Sequence, residues 1–180
     1  MKINSTRLEG LFTIELEKQE DDRGFFARTW DITKFKEFRL DTKLVQCNVS
    51  VSRKKGTLRG IHYQSKPYEE TKLIRCTKGS IFDVVIDLRP KSKTFKKWQS
   101  FELNEKNYKM LYVPKGFAHG FITLQNNTEV FYQISEFFMP ECVMGVRWDD
   151  PAFKIKWPLK PIIISEKDRN YEFFNDKIIR

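Results

Sequence analysis

The sequence predicts a single-domain all-β sandwich or barrel, and three observations support the fold class and the single domain. Short runs rich in β-branched and aromatic residues recur along the chain, with turn residues between them. The chain has 180 residues, the length of one domain and enough to bury a sizeable core. No internal repeat, low-complexity segment or flexible linker interrupts it. We therefore expect a single domain over residues 1–180.

Seven segments have the clearest strand character, because apolar residues in them alternate with polar ones or form short runs between turn residues. They are residues 11–16, 44–52, 57–63, 72–77, 81–88, 110–113 and 129–135. Residues 31–38 predict a short helix that Asp31 caps, with Phe35 and Phe38 on one face. A second short helix is expected after Ser165, which would cap it.

Residues 44–52 alternate strictly, with apolar side chains at odd positions and polar ones at even positions. One interpretation is an ordinary half-exposed strand. The other is a strand whose polar residues Gln46 and Asn48 line a pocket inside a barrel. The pattern alone does not choose between them.

The formal net charge is +9, so the protein should attract anions such as phosphorylated small molecules. The basic runs 53–55 and 91–97 lie between strand-like segments and are typical of solvated turns, and no nucleic-acid motif accompanies them. No run approaches the length of a membrane helix, and residues 1–6 lack the apolar stretch of a signal peptide. We expect a cytoplasmic protein that binds neither nucleic acid nor membrane.

Metal binding is disfavoured by the cysteine and histidine content. The three cysteines are widely spaced and fit neither a disulfide framework nor a zinc knuckle. A zinc or iron site needs three or more protein ligands, commonly including histidine. The chain has only two histidines, far apart and with no His-X-His pair.

The two histidines, His62 and His119, are the first candidates for chemistry, because both lie in glycine-flanked segments where a backbone approaches something closely. The unperturbed pKa of histidine suits proton transfer near neutral pH. A histidine base also needs a group that fixes its tautomer, usually a carboxylate. Asp83, Asp87 and Asp168 are candidates, and their spacing does not choose among them.

Two cations, Lys72 and Arg75, follow the first histidine closely in sequence. Cations at such positions could hold a diphosphate or stabilise an enolate oxygen. Most lysine and arginine side chains, however, are solvated surface charges.

Nine segments carry a resemblance to a known family. They are DRGFF at 22–26, VQCNVS at 45–50, GTLRGIHYQ at 56–64, KLIRC at 72–76, FDVVIDLR at 82–89, PKGFAHGF at 114–121, WDDP at 148–151, WP at 157–158 and SEKD at 165–168. In this order, they resemble the dTDP-4-dehydrorhamnose 3,5-epimerase family over nearly the whole chain. The resemblance implies a cupin jelly roll, a double-stranded β-helix with a few short helices, assembled as a homodimer.

The resemblance also implies an isomerase without metal or other cofactor, acting on a nucleotide-linked 4-keto-6-deoxyhexose. Removal of a hydrogen beside the ketone gives an enolate, and reprotonation from the other side inverts C3, C5 or both. By resemblance, His62 is the base, and Asp168 orients it and stabilises its imidazolium. Tyr132 returns a proton from the opposite face of the sugar.

Further roles follow from the same resemblance. Lys72 and His119 would stabilise the enolate oxygen at C4. We infer in addition that Asp83 holds His119. The diphosphate would be gripped by Arg23, Arg59 and Lys167, where charge-assisted hydrogen bonds are strong. The remaining substrate-binding residues expected are Phe26, Arg28, Gln46, Asn48 and Phe138.

The chain departs from the family pattern in the recognition residues. Arg28 stands where the pattern has a glutamate that can accept from thymine N3–H, and arginine offers only donors. Cytosine or guanine would suit Arg28 better, so dTDP, CDP and GDP all stay open. Phe137 and Phe138 replace a tyrosine pair, and Val143 stands where glutamate is common.

Strict alternation places His62 and Arg59 on opposite faces of one strand, although both belong in the pocket by resemblance. We expect Gly60 to mark a bulge that re-aims the strand.

Four functions stay open. They are a 3,5-epimerase, a single-centre epimerase acting on a CDP- or GDP-linked sugar, a 3,4-ketoisomerase, and a non-catalytic sugar-binding cupin. The intact set of His62, Lys72, Tyr132 and Asp168 favours epimerisation.

Overall fold

The structure is a computed structural model and describes residues 1–175. The strands of this part of the chain are β1 (Lys2–Ser5), β2 (Phe12–Glu15), β3 (Gln19–Asp21), β4 (Gly24–Phe26), β5 (Gln46–Ser52), β6 (Leu58–Gln64), β7 (Lys72–Lys78), β8 (Ser80–Asp87), β9 (Trp98–Asn104), β10 (Met110–Val113), β11 (Phe117–Thr123), β12 (Thr128–Ile134) and β13 (Val143–Gly145). The helices are α1 (Ile32–Glu37), α2 (Glu166–Arg169) and a 3₁₀ turn at Pro140–Cys142.

Two antiparallel sheets form the body of the molecule. The larger sheet has six strands in the order β1-β2-β10-β7-β12-β5, and the smaller has five in the order β13-β6-β11-β8-β9. Strands β3 and β4 pair only with each other, as a separate hairpin. A buried apolar cluster joins Ile74, Leu111 and Val130 of the larger sheet to Val85 and Phe121 of the smaller one. The sheets therefore face each other across a common core, which confirms the predicted all-β sandwich.

All seven predicted strands are present, with ends shifted by up to two residues. Six further strands were not predicted. Strands β1, β3, β4 and β13 have only three or four residues, too few for a periodic signal. Strand β11 contains Gly120 in its middle, and the apolar residues of β9, at positions 98, 101 and 103, do not alternate strictly with polar ones. Pairing with neighbouring strands stabilises these six segments, and the local sequence does not predict that pairing.

Both predicted helix caps are confirmed. The Asp31 side chain accepts from the backbone N–H groups of Thr33 and Lys34, and the Ser165 hydroxyl accepts from the N–H of Asp168. The prediction of one apolar face on α1 is half right. Phe35 is buried against the larger sheet, whereas Phe38 is 44% exposed because it lies at the C-cap, where the helix ends.

Strand β5 forms one edge of the larger sheet and decides between the two interpretations of its alternation. Val49 and Val51 are 59% and 55% exposed on the outer face. Gln46 and Asn48 line a cavity between the sheets. The polar residues thus face inward, as the pocket interpretation predicted.

The outer face of the smaller sheet is covered by the segment that follows β13. Val146 and Phe153 pack there against Ile61, Val84 and Ile86. This segment continues into α2 and brings it back to β6. Of the helices formed within residues 1–175, none is long and apolar enough to cross a membrane.

Candidate functional site

A cleft opens between the two sheets, next to the core residues Phe121 and Val130. It consists of a cavity of about 560 Å³ and a smaller one of about 310 Å³. Both are lined by His62, Lys72, Tyr132, Phe138 and Val143, so the two form one continuous space. The larger cavity also contains Arg59, His119, Lys167 and Asp168.

His62 projects into the cleft from β6 and is held by Asp168. The imidazole Nε2 lies 2.5 Å from Asp168 Oδ1. The His62 side chain keeps 35% of its surface exposed, whereas that of Asp168 keeps only 7%. Because Ser165 caps α2, the first turn of this helix presents Asp168 towards β6. The imidazole therefore has one nitrogen fixed by a carboxylate and the other, Nδ1, available.

The backbone of Gly60 explains how β6 aims both Arg59 and His62 into the cleft. The pairing of β6 with β11 shifts register, since two residues after Arg59 face the single residue Gly120. Gly60 has φ +119°, and a Cβ on it would overlap the Gly120 backbone. The expected bulge is present. It also turns the Gly60 N–H towards Asp168 Oδ2, at 3.2 Å.

Asp168 stays ionised more readily than an ordinary aspartate. Burial raises the pKa of its carboxyl group, but the hydrogen bond and charge of His62 and the N–H of Gly60 lower it by more. The net direction is a lowered pKa. An ionised Asp168 is the partner that a histidine needs in order to take up a proton.

His119 and Asp83 form a second pair beside the first. His119 is the cross-strand neighbour of His62, and its Nε2 lies 2.7 Å from Asp83 Oδ2. The Asp83 side chain is completely buried, and its Oδ1 has no hydrogen-bond partner among the described residues. Burial raises the pKa of Asp83, and the charges of His119 and Lys72 offset this in part.

Lys72 lies between His62 and a buried carboxylate. Its ammonium group donates to the backbone carbonyl of His62 at 3.1 Å and lies 3.0 Å from Glu70 Oε1. Both side chains of the Glu70–Lys72 pair are nearly buried, at 8% and 11% exposure. Lys72 comes from β7 of the larger sheet, and its ammonium group is held beside the His62 backbone, where a developing oxyanion would meet a fixed positive charge.

Tyr132 comes from β12 of the larger sheet and faces the histidines across the cleft. Burial raises the pKa of its phenol, a nearby Arg59 lowers it and Glu70 raises it, with a raised pKa as the result. Tyr132 thus stays protonated at neutral pH. Base and acid candidates stand on opposite walls of one cavity.

The larger cavity has a cationic end. Arg59 donates to the Ser52 hydroxyl and the Val51 carbonyl, which fix the guanidinium at the cavity wall. Lys167 lies at the same cavity, beside Asp168. At the smaller cavity, the Gln46 side-chain oxygen accepts from the backbone N–H of Phe138.

Five candidates lie elsewhere. Arg23 and Phe26 are exposed on the β3–β4 hairpin, and Arg23 pairs with its neighbour Asp21. Arg28 pairs with Asp31 at 2.8 Å. None of these three recognition residues lines either cavity of its own chain.

The other two candidates came from spacing alone. Arg75 lies on the outer face of the larger sheet, with its guanidinium over the Phe131 ring. Asp87 is held by Arg89, Ser92 and Thr94 and contacts neither histidine.

Sequence reasoning missed two residues of the site. Nothing in the sequence favoured Glu70 over the neighbouring Glu69 as a site residue, because both precede β7 in a polar stretch. Tyr171 lies just beyond α2, and its ring contacts that of His62 with centroids 5.9 Å apart. Within residues 1–175, no group of three or more histidine, cysteine or acidic side chains is placed to hold a metal ion.

Comparison with known proteins confirms the resemblance. The family model described as dTDP-4-dehydrorhamnose 3,5-epimerase matches residues 5–176. A dTDP-4-dehydrorhamnose 3,5-epimerase from Methanothermobacter thermautotrophicus is 43% identical over 171 residues, covering 93% of this chain and 91% of that protein.

Solved structures agree with this result. The crystal structure of an enzyme of the same name from Elizabethkingia anophelis superimposes with a TM-score of 0.95 at 38% identity, covering 98% of both chains. A Legionella pneumophila dTDP-6-deoxy-D-glucose-3,5-epimerase in complex with dTDP-4-keto-L-rhamnose gives 0.89 at 34% identity, covering 96% of this chain and 92% of that one.

Proposed function

The chain belongs to the dTDP-4-dehydrorhamnose 3,5-epimerase family and is an isomerase, and we propose that it inverts C3 and C5 of dTDP-4-dehydro-6-deoxyglucose. One observation carries the proposal: a histidine held by an ionised carboxylate and a protonated tyrosine line opposite walls of one cavity. Inversion requires a base on one face of the sugar ring and an acid on the other.

The proposed chemistry is a proton transfer in two halves. Because Nε2–H of His62 donates to Asp168, Nδ1 removes the hydrogen beside the C4 ketone, and the electron pair moves onto the C4 oxygen. Lys72 and His119 stabilise that oxyanion. Tyr132 then delivers a proton to the same carbon from the opposite face. The ketone reforms, and proton exchange with water restores both groups.

The family relatives favour thymidine diphosphate as the nucleotide. The argument for cytosine or guanine depended on the donors of Arg28, and one of its guanidinium nitrogens, Nη1, donates to Asp31. Arg59 and Lys167 at the cationic end of the cleft suit the diphosphate.

We also propose that the protein works as a homodimer. Arg23, Phe26 and Arg28 are expected to bind substrate, yet they lie outside the cleft of their own chain. A second copy could bring its β3–β4 hairpin to this cleft. The exposed apolar residues Val49 and Val51 on the edge strand β5 suit a surface covered by another subunit. A cytoplasmic location fits an enzyme that uses nucleotide sugars.

Deuterium incorporation tests the reaction. The protein is incubated in heavy water with dTDP-4-dehydro-6-deoxyglucose and, separately, with its CDP and GDP counterparts, and the label is located by NMR. We expect label at C3 and C5 with the dTDP sugar. Label at one carbon alone would indicate a single-centre epimerase, and a moved carbonyl would indicate a ketoisomerase. A substrate that binds without acquiring label would overturn the assignment as an enzyme of this class.

Two variants test which residue acts on each face of the sugar ring. His62→Ala should lower exchange by about 10²–10⁴-fold, the usual contribution of a general base. Tyr132→Phe should reduce inversion more than exchange, because the base still works. Tyr108→Phe is the matched control, since it removes a phenol hydroxyl outside both cavities. Normal exchange in His62→Ala would show that another group is the base.

A further inference from the structure

Tyr171 is half-buried and packs against His62 outside the cleft. Its ring meets the His62 ring edge-on, at an interplanar angle of 67° and a centroid distance of 5.9 Å. It follows Asp168 by three positions, so the segment that supplies the carboxylate also supplies this ring. Tyr171 lines neither cavity of the cleft. It therefore contacts His62 from the side away from the sugar.

No polar role can be assigned to the phenol hydroxyl of Tyr171 within the described residues. It is buried and has no hydrogen-bond partner among residues 1–175. Burial raises the pKa of this phenol to about 12, and the negative charge of Asp168 acts in the same direction. The group stays neutral at working pH, and because Tyr171 lines neither cavity, its hydroxyl does not reach the sugar. The ring, and not the hydroxyl, is the part that contacts the site.

Gly145 provides the space for that ring. Gly145 is the direct partner of His62 in the pairing of β13 with β6. A Cβ placed on Gly145 would overlap three carbon atoms of the Tyr171 ring. The absence of a side chain at this position thus lets the ring sit over the strand, immediately beside the base.

We propose that Tyr171 is a positioning residue, whose ring, seated on Gly145, confines His62 to the orientation that bonds Asp168. This inference rests on the proposed function of His62 as the base. His62 is the more exposed of the two histidines, at 35% against 11% for His119, so it needs a wall that limits its rotation. A base misplaced by about 1 Å can lose about 10²-fold in rate.

Three substitutions test the ring. Tyr171→Ala should lower kcat by about 10- to 100-fold and change KM by less than about threefold, because the sugar is still bound but the base is loose. Tyr171→Phe should keep kcat within about twofold, because it preserves the ring. Phe173→Ala is the control, since this half-exposed ring of the same segment lies over Arg147. Equal losses in the Ala and Phe variants would overturn the proposal.

Gly145→Ala provides a second route that leaves Tyr171 in place. The added methyl should displace the ring and lower kcat, and the double variant with Tyr171→Ala should be no slower than Tyr171→Ala alone. Additive losses would show that the two residues act separately and would overturn the proposal. Circular dichroism and thermal unfolding establish that each variant is folded.

Proton NMR separates this inference from the proposed function. The His62 Nε2 proton, hydrogen-bonded to a carboxylate, should give a far-downfield resonance in the parent and in Tyr171→Phe. In Tyr171→Ala it should broaden through exchange with water. This readout needs no turnover, so it tests the ring even if the parent protein fails to exchange deuterium into any sugar. An unchanged resonance together with unchanged kcat in Tyr171→Ala would refute the positioning role.

Discussion

Two histidine–carboxylate pairs stand side by side on one sheet, yet their surroundings differ. His62 and His119 are cross-strand neighbours, and each bonds an aspartate through Nε2. Asp168 comes from a helix outside the sandwich and accepts a further hydrogen bond from the Gly60 N–H. Asp83 comes from β8 within the same sheet, and one of its oxygens has no partner in the described part of the chain.

The difference shows in the direction in which each pKa moves. That of Asp168 is lowered, because hydrogen bonds outweigh burial, and that of Asp83 is raised, because burial dominates. An ionised partner favours a histidine that takes up a proton, whereas a partner with a raised pKa favours a histidine that is held in place. The two pairs have the same composition but different electrostatics, which agrees with the different tasks that the proposed function gives them, removal of a proton and stabilisation of an oxyanion.

The largest effect should come from removing the charge of the first pair. Asp168→Asn keeps the side-chain shape but cannot stabilise the imidazolium, and we expect deuterium exchange to fall by about 10³–10⁴-fold, by analogy with the Asp→Asn change in a Ser-His-Asp triad. Asp149→Asn is the control, because Asp149 pairs with Arg147 at the surface and lines neither cavity. Exchange within about tenfold of the parent would mean that His62 does not depend on this carboxylate.

The sequence predicted which histidines and aspartates could form these pairs, but not which aspartate bonds which histidine. Both histidines stood out because glycines flank them, and Asp168 could be assigned to His62 only through the family resemblance. Spacing left Asp83, Asp87 and Asp168 equal, since the partner of a histidine is decided by which strands lie adjacent. The order β6-β11-β8 brings Asp83 to His119, and α2 brings Asp168 to His62.

Other features were harder to predict from the sequence, because they depend on the three-dimensional arrangement of the backbone. The alternation of β5 indicated a two-faced strand, but only the second sheet shows that the polar face is the inner one. Glu70 and Tyr171 carry no local signal, because their roles arise from contacts with Lys72 and His62 that the fold creates. The bulge was predictable because Gly60 stood between two residues that a regular strand would place on opposite faces.

A smaller effect should follow from changing the second pair. Asp83→Asn keeps a hydrogen-bond acceptor for His119 but alters how firmly its ring is held. We expect kcat to fall by about 10- to 100-fold, less than the about 10²–10³-fold loss on deleting an oxyanion-hole donor outright. KM should change little, because His119 lines the cavity and Asp83 does not. A loss equal to that of Asp168→Asn would show that the two pairs share one task.

The smallest effect, and the one that tests the electrostatic comparison directly, is on stability. A carboxyl group whose pKa is lowered on folding adds stability above its unfolded pKa of about 3.9, and that stability is lost as the pH falls through the folded value. A carboxyl group whose pKa is raised on folding behaves oppositely. Its contribution is present below about pH 3.9 and is lost as the pH rises through the folded value.

The two asparagine variants should therefore diverge from the parent in opposite directions when urea unfolding is followed between pH 3 and pH 8. The advantage of the parent over Asp168→Asn should shrink as the solution is acidified below about pH 4. The free energy of unfolding of the parent, relative to that of Asp83→Asn, should decrease as the pH rises above about 4. The reason is that folding then requires a buried carboxylate with one unpartnered oxygen. Each unit of difference between folded and unfolded pKa is worth about 1.4 kcal/mol in the free energy of unfolding. Parallel profiles for the two variants would show that both carboxylates are equally ionised, so that only the position of each histidine, and not the charge beside it, distinguishes the pairs.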